Sequence, residues 1–194
     1  MESAFGSPLI EASWKAYEAL SKREWRKQWF CKHTGGYVVA HVLKAVDDLS
    51  RSGIVAEVKG CFSLAEMGKH VLRLPENIPD LIDDVVIDGK PYRALLKFKE
   101  GETNPRGYPD VYFDRQTWDF KAPTYQNVES IRQLIKEGRK ADNVIFVVSC
   151  EDDVLAVTSA IGREYGNRKS SASWQELPDI YYLFDNQLFG IWVK

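Results

Sequence analysis

The chain contains few cysteines and lacks long apolar runs. Cys31, Cys61 and Cys150 are widely spaced, and no Cys-x-x-Cys pair occurs, so neither a disulfide framework nor a structural zinc site is expected. No run of eighteen apolar residues is present, and the N-terminus lacks the basic-then-apolar pattern of a signal peptide. We therefore expect a cytoplasmic protein with reduced cysteines and no membrane contact. Action inside another cell would require delivery by a larger protein or system.

A strong charge of one sign is also absent. The 194 residues include 28 acidic and 26 basic side chains, which gives a net charge of -2. This balance excludes a chain that binds nucleic acid with its whole surface, although a nuclease needs to be basic only locally. The length and a hydrophobic content of 44% predict one soluble globular domain over residues 1–194.

The most informative pattern is Pro-Asp followed, after eight residues, by Asp-x-Lys, within Pro109–Lys121. Two aromatic-rich runs flank a polar turn from Asp114 to Thr117, which indicates a β-hairpin. With the loop centred on Arg115 and Gln116, Asp110 lies opposite Lys121, and both share one face with Asp119. Two carboxylates and an amine on a rigid face can hold a divalent cation and position a water for phosphodiester hydrolysis. A solvated strand face with a cross-strand ion pair gives the same pattern without chemistry.

The motif resembles that of the PD-(D/E)xK nuclease superfamily. The following segment, from Phe120 to Ile145, is similar to the C-terminal tRNase domains of contact-dependent inhibition (CdiA-type) toxins and related phage or mobile-element proteins. Upstream, the Gly-Gly-Tyr segment from Gly35 to His41 resembles the entry to the first helix of such domains. The resemblance covers residues 35 to 149. It implies a metal-dependent nuclease with Mg²⁺ or Mn²⁺, nucleic acid as partner with RNA favoured over DNA, and a cognate immunity or inhibitor protein.

Apolar periodicity predicts the fold. We expect a helix over Pro8–Phe30, a helix over His41–Ser52 stopped by Gly53, a strand over Ile54–Val58 and a short helix over Leu64–Leu74. The later elements are a hairpin around Asp88-Gly89, the motif hairpin, a helix ended by Gly138, a strand over Val144–Val148, a helix over Asp152–Tyr165 and a hairpin around Asp185-Asn186. The fold class is therefore α/β (α+β), a central mixed sheet flanked by helices.

This order corresponds to the α-β-β-β-α-β core of the nuclease superfamily. We expect a nuclease-like core over residues 35–149, an N-terminal helical extension over residues 1–34, and a helix plus hairpin as a C-terminal extension over residues 150–194.

Further residues are candidates for the site. His41, beside the Gly-Gly turn, is a candidate proton carrier. Asp48 is a candidate third metal ligand beside Asp110 and Asp119, although a solvated Asp47-Asp48 pair is the simpler interpretation. Four residues after the motif are candidates for substrate binding: Gln126, Arg132, Lys136 and Arg139. Glu57-Val58-Lys59 is a second Glu-x-Lys without a Pro-Asp partner, and we set it aside.

Three functions remain open from the sequence. The first is a metal-dependent nuclease of toxin type, with Asp110, Asp119 and Lys121 catalytic. The second is a metal-independent RNase of the barnase or colicin kind that would use His41, Tyr or Lys side chains and would not need Asp110. The third is a non-catalytic interaction domain on a decayed nuclease core. The basic, tryptophan-bearing N-terminal segment could contact nucleic acid, or could be core packing with a solvated charged back.

Overall fold

A computed structural model describes residues 7–45, 47, 49–123, 127–166 and 177–193. Within these residues the chain forms four α-helices and ten strands. The helices are α1 (Pro8–Ala19), α2 (Ser52–Glu66), α3 (Val128–Glu137) and α4 (Glu151–Gly166). The strands are β1 (Trp25–Phe30), β2 (Tyr37–His41), β3 (His70–Arg73), β4 (Val86–Ile87), β5 (Lys90–Pro91), β6 (Val111–Phe113), β7 (Gln116–Lys121), β8 (Asn143–Val147), β9 (Asp179–Phe184) and β10 (Gln187–Trp192).

One mixed sheet organises the described part of the chain. Its eight strands lie in the order β1-β2-β3-β6-β7-β8-β9-β10, and β4 pairs separately with β5. The pairs β2–β3, β7–β8 and β8–β9 are parallel, whereas the others are antiparallel. The predicted α+β class with a central mixed sheet flanked by helices is thereby confirmed. None of the described helices is long and apolar enough to cross a membrane.

Both faces of the sheet are covered by helices. On one face, Cys61 and Leu64 of α2 pack against a cluster that includes Val71, Phe113 and Phe120. On the other face, α1 packs at the β2 side of the sheet, and α3 and α4 pack over β8 and β9. Neighbouring residues of a strand point to opposite faces, so β2 and β8 are buried on both sides and carry almost continuous apolar sequence. Strand β7 is also largely buried but carries polar residues, among them Asp119.

The N-terminal prediction is wrong in its second half. The helix begins at Pro8 with Ser7 as N-cap but ends at Ala19, and Trp25–Phe30 forms strand β1. Leu20 leaves the helical region with ψ 132, and the Trp25 N–H donates to the Ser21 carbonyl in a tight turn. Trp14 and Tyr17 of α1 and Trp25 and Phe30 of β1 do pack in one core, but they come from two elements and not from one helix.

The predicted elements between His41 and Leu74 are displaced. His41 ends β2, and the helix begins only at Ser52, so Gly53 lies at a helix start and not at a stop. The apolar run at Ile54–Val58 lies inside α2, where it continues a helical stripe through Cys61 and Leu64. The predicted helix over 64–74 is the end of α2 followed by strand β3. A short apolar run does not distinguish a strand from a buried helix segment.

The later elements agree with the predictions. The motif hairpin, the helix ending at Gly138, the buried strand β8, helix α4 and the closing hairpin all form. The turn at Asp88-Gly89 is also present, although Tyr92–Leu95 after it is a 3₁₀ turn. The α-β-β-β-α-β order is present as α2, β3, β6, β7, α3 and β8, with α2 in place of the predicted helix over 41–52.

Gly60 lets α2 lie directly on the strand that carries the motif. A Cβ at Gly60 would lie 2.2 Å from Cε1 of Phe120, so Gly60→Ala must displace that ring. We expect Gly60→Ala to lower the free energy of unfolding by about 1–3 kcal/mol, measured by urea denaturation. Gly162→Ala in α4, where nothing lies within 4 Å, is the matched control and should stabilise by about 0.5–1 kcal/mol. A Gly60→Ala protein as stable as wild type would contradict this packing.

Candidate active site

The motif hairpin has a tighter turn than its sequence predicts. Val111 pairs with Trp118 and Phe113 with Gln116, so the two turn residues are Asp114 and Arg115, both with positive φ. Continuing this register places Asp110 across from Asp119, and not from Lys121 as predicted. The shift is two residues, and side chains alternate with period two, so the predicted shared face is kept.

Asp110 is fixed by its backbone on both sides. Its carbonyl accepts from the N–H of Leu74, and its own N–H donates to the carbonyl of Trp118, at 2.9 and 3.0 Å. One carboxylate oxygen accepts a hydrogen bond of 2.7 Å from the N–H of Phe120. These contacts hold the Asp110 carboxylate at the start of β6, next to the backbone of Phe120 in β7.

Asp119 is fully buried between two ammonium groups. Its Oδ2 lies 2.8 Å from Nζ of Lys121, and its Oδ1 lies 2.9 Å from Nζ of Lys140. Lys140 also reaches Oδ1 of Asp110, at 3.4 Å, and so bridges the two carboxylates. The two motif carboxylates and the motif lysine thus converge, together with a second lysine.

A close approach of α3 to the sheet brings in Lys140. A Cβ at Gly138 would lie 2.2 Å from Cγ2 of Val144, so only glycine allows the helix end to lie so near β8. The 3₁₀ turn from Gly138 to Lys140 then carries the lysine over Asp119. Gly107, with φ +148, leaves room for the side chain, since its added Cβ would lie 3.2 Å from Cδ of Lys140.

Helix α2 contributes a buried carboxylate from the opposite face of the sheet. Oε1 of Glu57 lies 2.9 Å from Nε of Arg73 and 3.1 Å from Nζ of Lys44. Arg73 also holds Asp47 through both terminal nitrogens, at 2.5 and 2.8 Å. The side chains of Glu57, Arg73 and Lys44 are each about 3% exposed, so this is a buried network in which every charge has a partner.

Glu76 completes a set of oxygen donors. It forms an ion pair with Lys44, and one carboxylate oxygen each from Glu57, Glu76 and Asp110 lie within 4.8 Å of one another. These groups line a cleft of 590 Å³ that also contains Asp119, Lys121 and Lys140. Hard divalent cations such as Mg²⁺ and Mn²⁺ prefer carboxylate oxygens, so the donor chemistry fits such an ion. Lys44 and Lys140 already supply positive charge among the same carboxylates.

The electrostatics separate the two motif carboxyl groups. Burial, followed by the negative charge of Asp110, raises the pKa of Asp119 to about 7 despite the nearby lysines. Burial also favours the neutral form of Asp110, but Lys140 and a hydrogen bond from Asp119 outweigh it and lower its pKa. Burial and Asp110 raise the pKa of Glu57. Near neutral pH, Asp110 is therefore the ionised member of the pair, and Asp119 gains and loses the proton.

The remaining predicted residues lie in different places. His41 ends β2, where its Nδ1 accepts from the N–H of Leu43 and its ring packs edge-on against Trp25. It does not line the cleft in the described part of the chain, and no finding tests its predicted catalytic role. The predicted ligand Asp48 and the predicted substrate contact Gln126 lie outside the described residues.

The three basic residues predicted to bind substrate divide into two groups. Lys136 and Arg139 line a second, smaller cavity beside the cleft. Arg132 instead forms ion pairs with Glu164, at 3.0 Å, and with Glu129, at 2.7 Å. Glu164 is fully buried, so Arg132 stabilises the packing of α3 on α4.

Two carboxylates of the site, Glu57 and Glu76, were not predicted from the sequence. Glu57 was set aside because no Pro-Asp pair precedes Glu57-Val58-Lys59 at hairpin distance, and its segment was predicted to be a strand. In α2 it lies in the same stripe as Cys61 and Leu64, and a carboxylate in an apolar helical stripe is a signal that periodicity can detect. Glu76 follows β3 in an irregular segment, and the sequence carries no comparable signal for it.

Comparisons with known proteins give one structural likeness. No protein-family profile matches the chain, and no curated protein matches it. A solved CdiA-CT/CdiI toxin and immunity complex from Burkholderia pseudomallei is similar to this chain with a TM-score of 0.43 and 16% sequence identity. The match covers 77% of this chain and 91% of that one. A likeness at this TM-score establishes neither a shared fold nor a shared activity.

Proposed function

We propose that this chain is a metal-dependent nuclease that hydrolyses phosphodiester bonds, with RNA favoured over DNA as substrate. The supporting observation is the convergence of Asp110, Asp119 and Lys121 with Glu57 and Lys140 in one cleft. Each side chain comes from a different part of the fold or is held by a specific contact, as expected of a preorganised site. The toxin role and the immunity protein as partner are part of the proposal and rest on the sequence resemblance alone.

Each residue has a role in the proposed reaction. Glu57, Glu76 and Asp110 would hold the divalent ion. When bound, such an ion polarises the phosphate and lowers the pKa of a bound water. Lys121 and Lys140 place ammonium groups beside the carboxylates, where negative charge builds up on the phosphate. Asp119, with a pKa of about 7, can exchange a proton near neutral pH.

One observation favours a metal-free alternative. The site and its surroundings contain five carboxyl groups that contact four cations. The carboxyl groups belong to Asp47, Glu57, Glu76, Asp110 and Asp119, and the cations to Lys44, Arg73, Lys121 and Lys140. With Asp119 protonated, these charges balance without a metal. A metal-independent nuclease or a non-catalytic domain would keep this arrangement unchanged.

Metal binding and its pH dependence separate these alternatives. We expect Mg²⁺ or Mn²⁺ to raise the melting temperature, because an ion that binds only the folded state stabilises it. A nearby dication favours the ionised form of Asp119, whose pKa without metal is about 7. The metal affinity should therefore rise by up to about tenfold per pH unit from pH 5 to 7 and level off above pH 7. Thermal shift titrations at several pH values measure this.

The matched control is Asp119→Asn, in which the rise of affinity between pH 5 and 7 should become smaller, leaving the part due to Glu57, whose pKa is also raised. A wild-type melting temperature that does not respond to either ion at any pH would favour the metal-free alternatives.

A further inference from the structure

A second cavity beside the cleft is unusually basic for this chain. It has a volume of 350 Å³ and lies between the 99–106 loop and the end of α3. We call it the basic groove and define it by its five cationic side chains: Lys99, Arg106, Lys136, Arg139 and Lys140. Glu102 and Glu137 are the acidic residues along it. The chain as a whole carries a charge of -2, whereas the lining of the groove has five basic and two acidic side chains.

The basic groove is continuous with the proposed active site. Lys140 lines both cavities, and its Nζ lies 2.9 Å from Oδ1 of Asp119. On the other side, Glu137 of the groove lies 3.9 Å from Nζ of Lys121. A chain lying in the groove would therefore reach the catalytic carboxylates directly.

The walls of the groove are braced by contacts outside it. Phe98 pairs with Pro105 in an isolated β-bridge, and the N–H of Arg106 donates to the carbonyl of Lys97 at 2.7 Å. Lys97 then ties the loop to the start of β8, since its Nζ donates to the carbonyl of Ala141 at 2.6 Å. The backbone of the loop is thus held in place next to α3, which reduces the entropy lost when a ligand binds. Lys99 forms an exposed ion pair with Glu102 of the same loop, at 3.3 Å.

Arg139 carries donors suited to an anion. Its Nε and Nη2 atoms are buried and have no hydrogen-bond partner among the described residues. Buried donors normally have partners, and a guanidinium matches the geometry of a phosphate through paired N–H groups. Arg132, one helical turn from Lys136, differs because its guanidinium is engaged by Glu164 and Glu129.

We propose that the basic groove binds the phosphodiester backbone of the substrate on one side of the bond that is cut. This inference rests on the proposed function and extends it with a substrate path. Arg106 and Arg139 contact phosphates from opposite walls, and Lys99 and Lys136 extend the positive surface outward. The contacts are to phosphate, so RNA and DNA strands bind this groove alike, and sequence or sugar preference comes from elsewhere.

The test uses the full chain with Asp119→Asn, so that substrate is bound without being cut. Binding to a single-stranded RNA and a DNA of the same sequence is measured across a salt series, with and without Arg106→Gln plus Arg139→Gln. Each lost phosphate contact should reduce the slope of log affinity against log salt by about 0.7 for single strands, so the pair should reduce it by about 1.4 for both polymers. Lys90→Gln plus Arg163→Gln, which removes the same charge from exposed positions outside both cavities, should leave the slope unchanged.

Three results would contradict the proposal that the basic groove binds the phosphodiester backbone. They are an unchanged slope in the double variant, an equal reduction in the Lys90 and Arg163 control, and a reduction confined to one polymer. Should the arginine double variant fail to fold, Lys99→Gln plus Lys136→Gln in the same background gives the same comparison. Cleavage by the wild-type protein is measured separately. It shows whether the chain is a nuclease even if the basic groove does not bind phosphates.

Discussion

Asp119→Asn is expected to abolish phosphodiester cleavage while the fold persists. The substitution keeps the side-chain volume but removes the ionisable group that lies between Lys121 and Lys140. Loss of a group that supports metal ligands costs 10- to 100-fold in activity, and we expect a loss of at least about a hundredfold here. The measurement is turnover at saturating substrate, with far-UV circular dichroism as the check on folding.

Asp119→Asn should also change how the free energy of unfolding depends on pH, which a substitution that only abolishes activity would not do. The pKa of Asp119 is about 7 in the folded protein, above its ordinary value of 3.8. The folded state therefore retains a proton that the unfolded state releases, so wild-type stability falls as pH rises from about 4 to 7. Asp119→Asn should lose this fall and be at least as stable as wild type at pH 8. Unchanged turnover, or a stability profile identical to wild type, would contradict the role of Asp119.

Lys140→Met is expected to produce the largest loss of stability in the site. Lys140 is the cation that bridges Asp110 and Asp119, and its removal leaves two buried carboxyl groups close together. Breaking a buried pair in this way costs about 3–5 kcal/mol. We expect that decrease in the free energy of unfolding near pH 8, where Asp119 is mostly ionised in the wild type, together with loss of cleavage.

A second substitution makes the Lys140 prediction specific. Asp119→Asn in the Lys140→Met background removes one of the two carboxyl groups that Lys140 no longer bridges, so the double variant should recover stability but not activity. Lys15→Met, which breaks an exposed pair with Glu11, is the matched control and should change stability by less than about 1 kcal/mol. Additive losses in the double variant would show that Lys140 and Asp119 act independently.

The sequence predicted the part of the site that local pattern specifies. Pro-Asp and Asp-x-Lys lie on one hairpin, and period-two alternation puts Asp110, Asp119 and Lys121 on one face even though the predicted register was shifted by two residues. The turn was misplaced because Asp114 and Arg115 both adopt positive φ, which non-glycine residues seldom do. Because the register shift is an even number of residues, Asp110, Asp119 and Lys121 still share one face of the sheet.

Residues that reach the site through tertiary packing were not predictable in the same way. Lys140 arrives because Gly138 allows α3 to lie against Val144, and that contact depends on the folded sheet. Glu57 comes from the opposite face and is held by Arg73 and Lys44, which are distant from it in sequence. The division into residues 1–34, 35–149 and 150–194 stays a prediction. The central sheet includes strands from all three segments.

The most direct test of the account is a cleavage assay with the pure protein. Wild type and Asp119→Asn are each incubated with total tRNA, other RNA and DNA, in the presence of Mg²⁺, Mn²⁺ or a chelator. The account predicts cleavage of RNA by wild type only when a divalent ion is present, and none by Asp119→Asn. No cleavage of any polymer with either ion, or cleavage that persists in chelator and in Asp119→Asn, would contradict it.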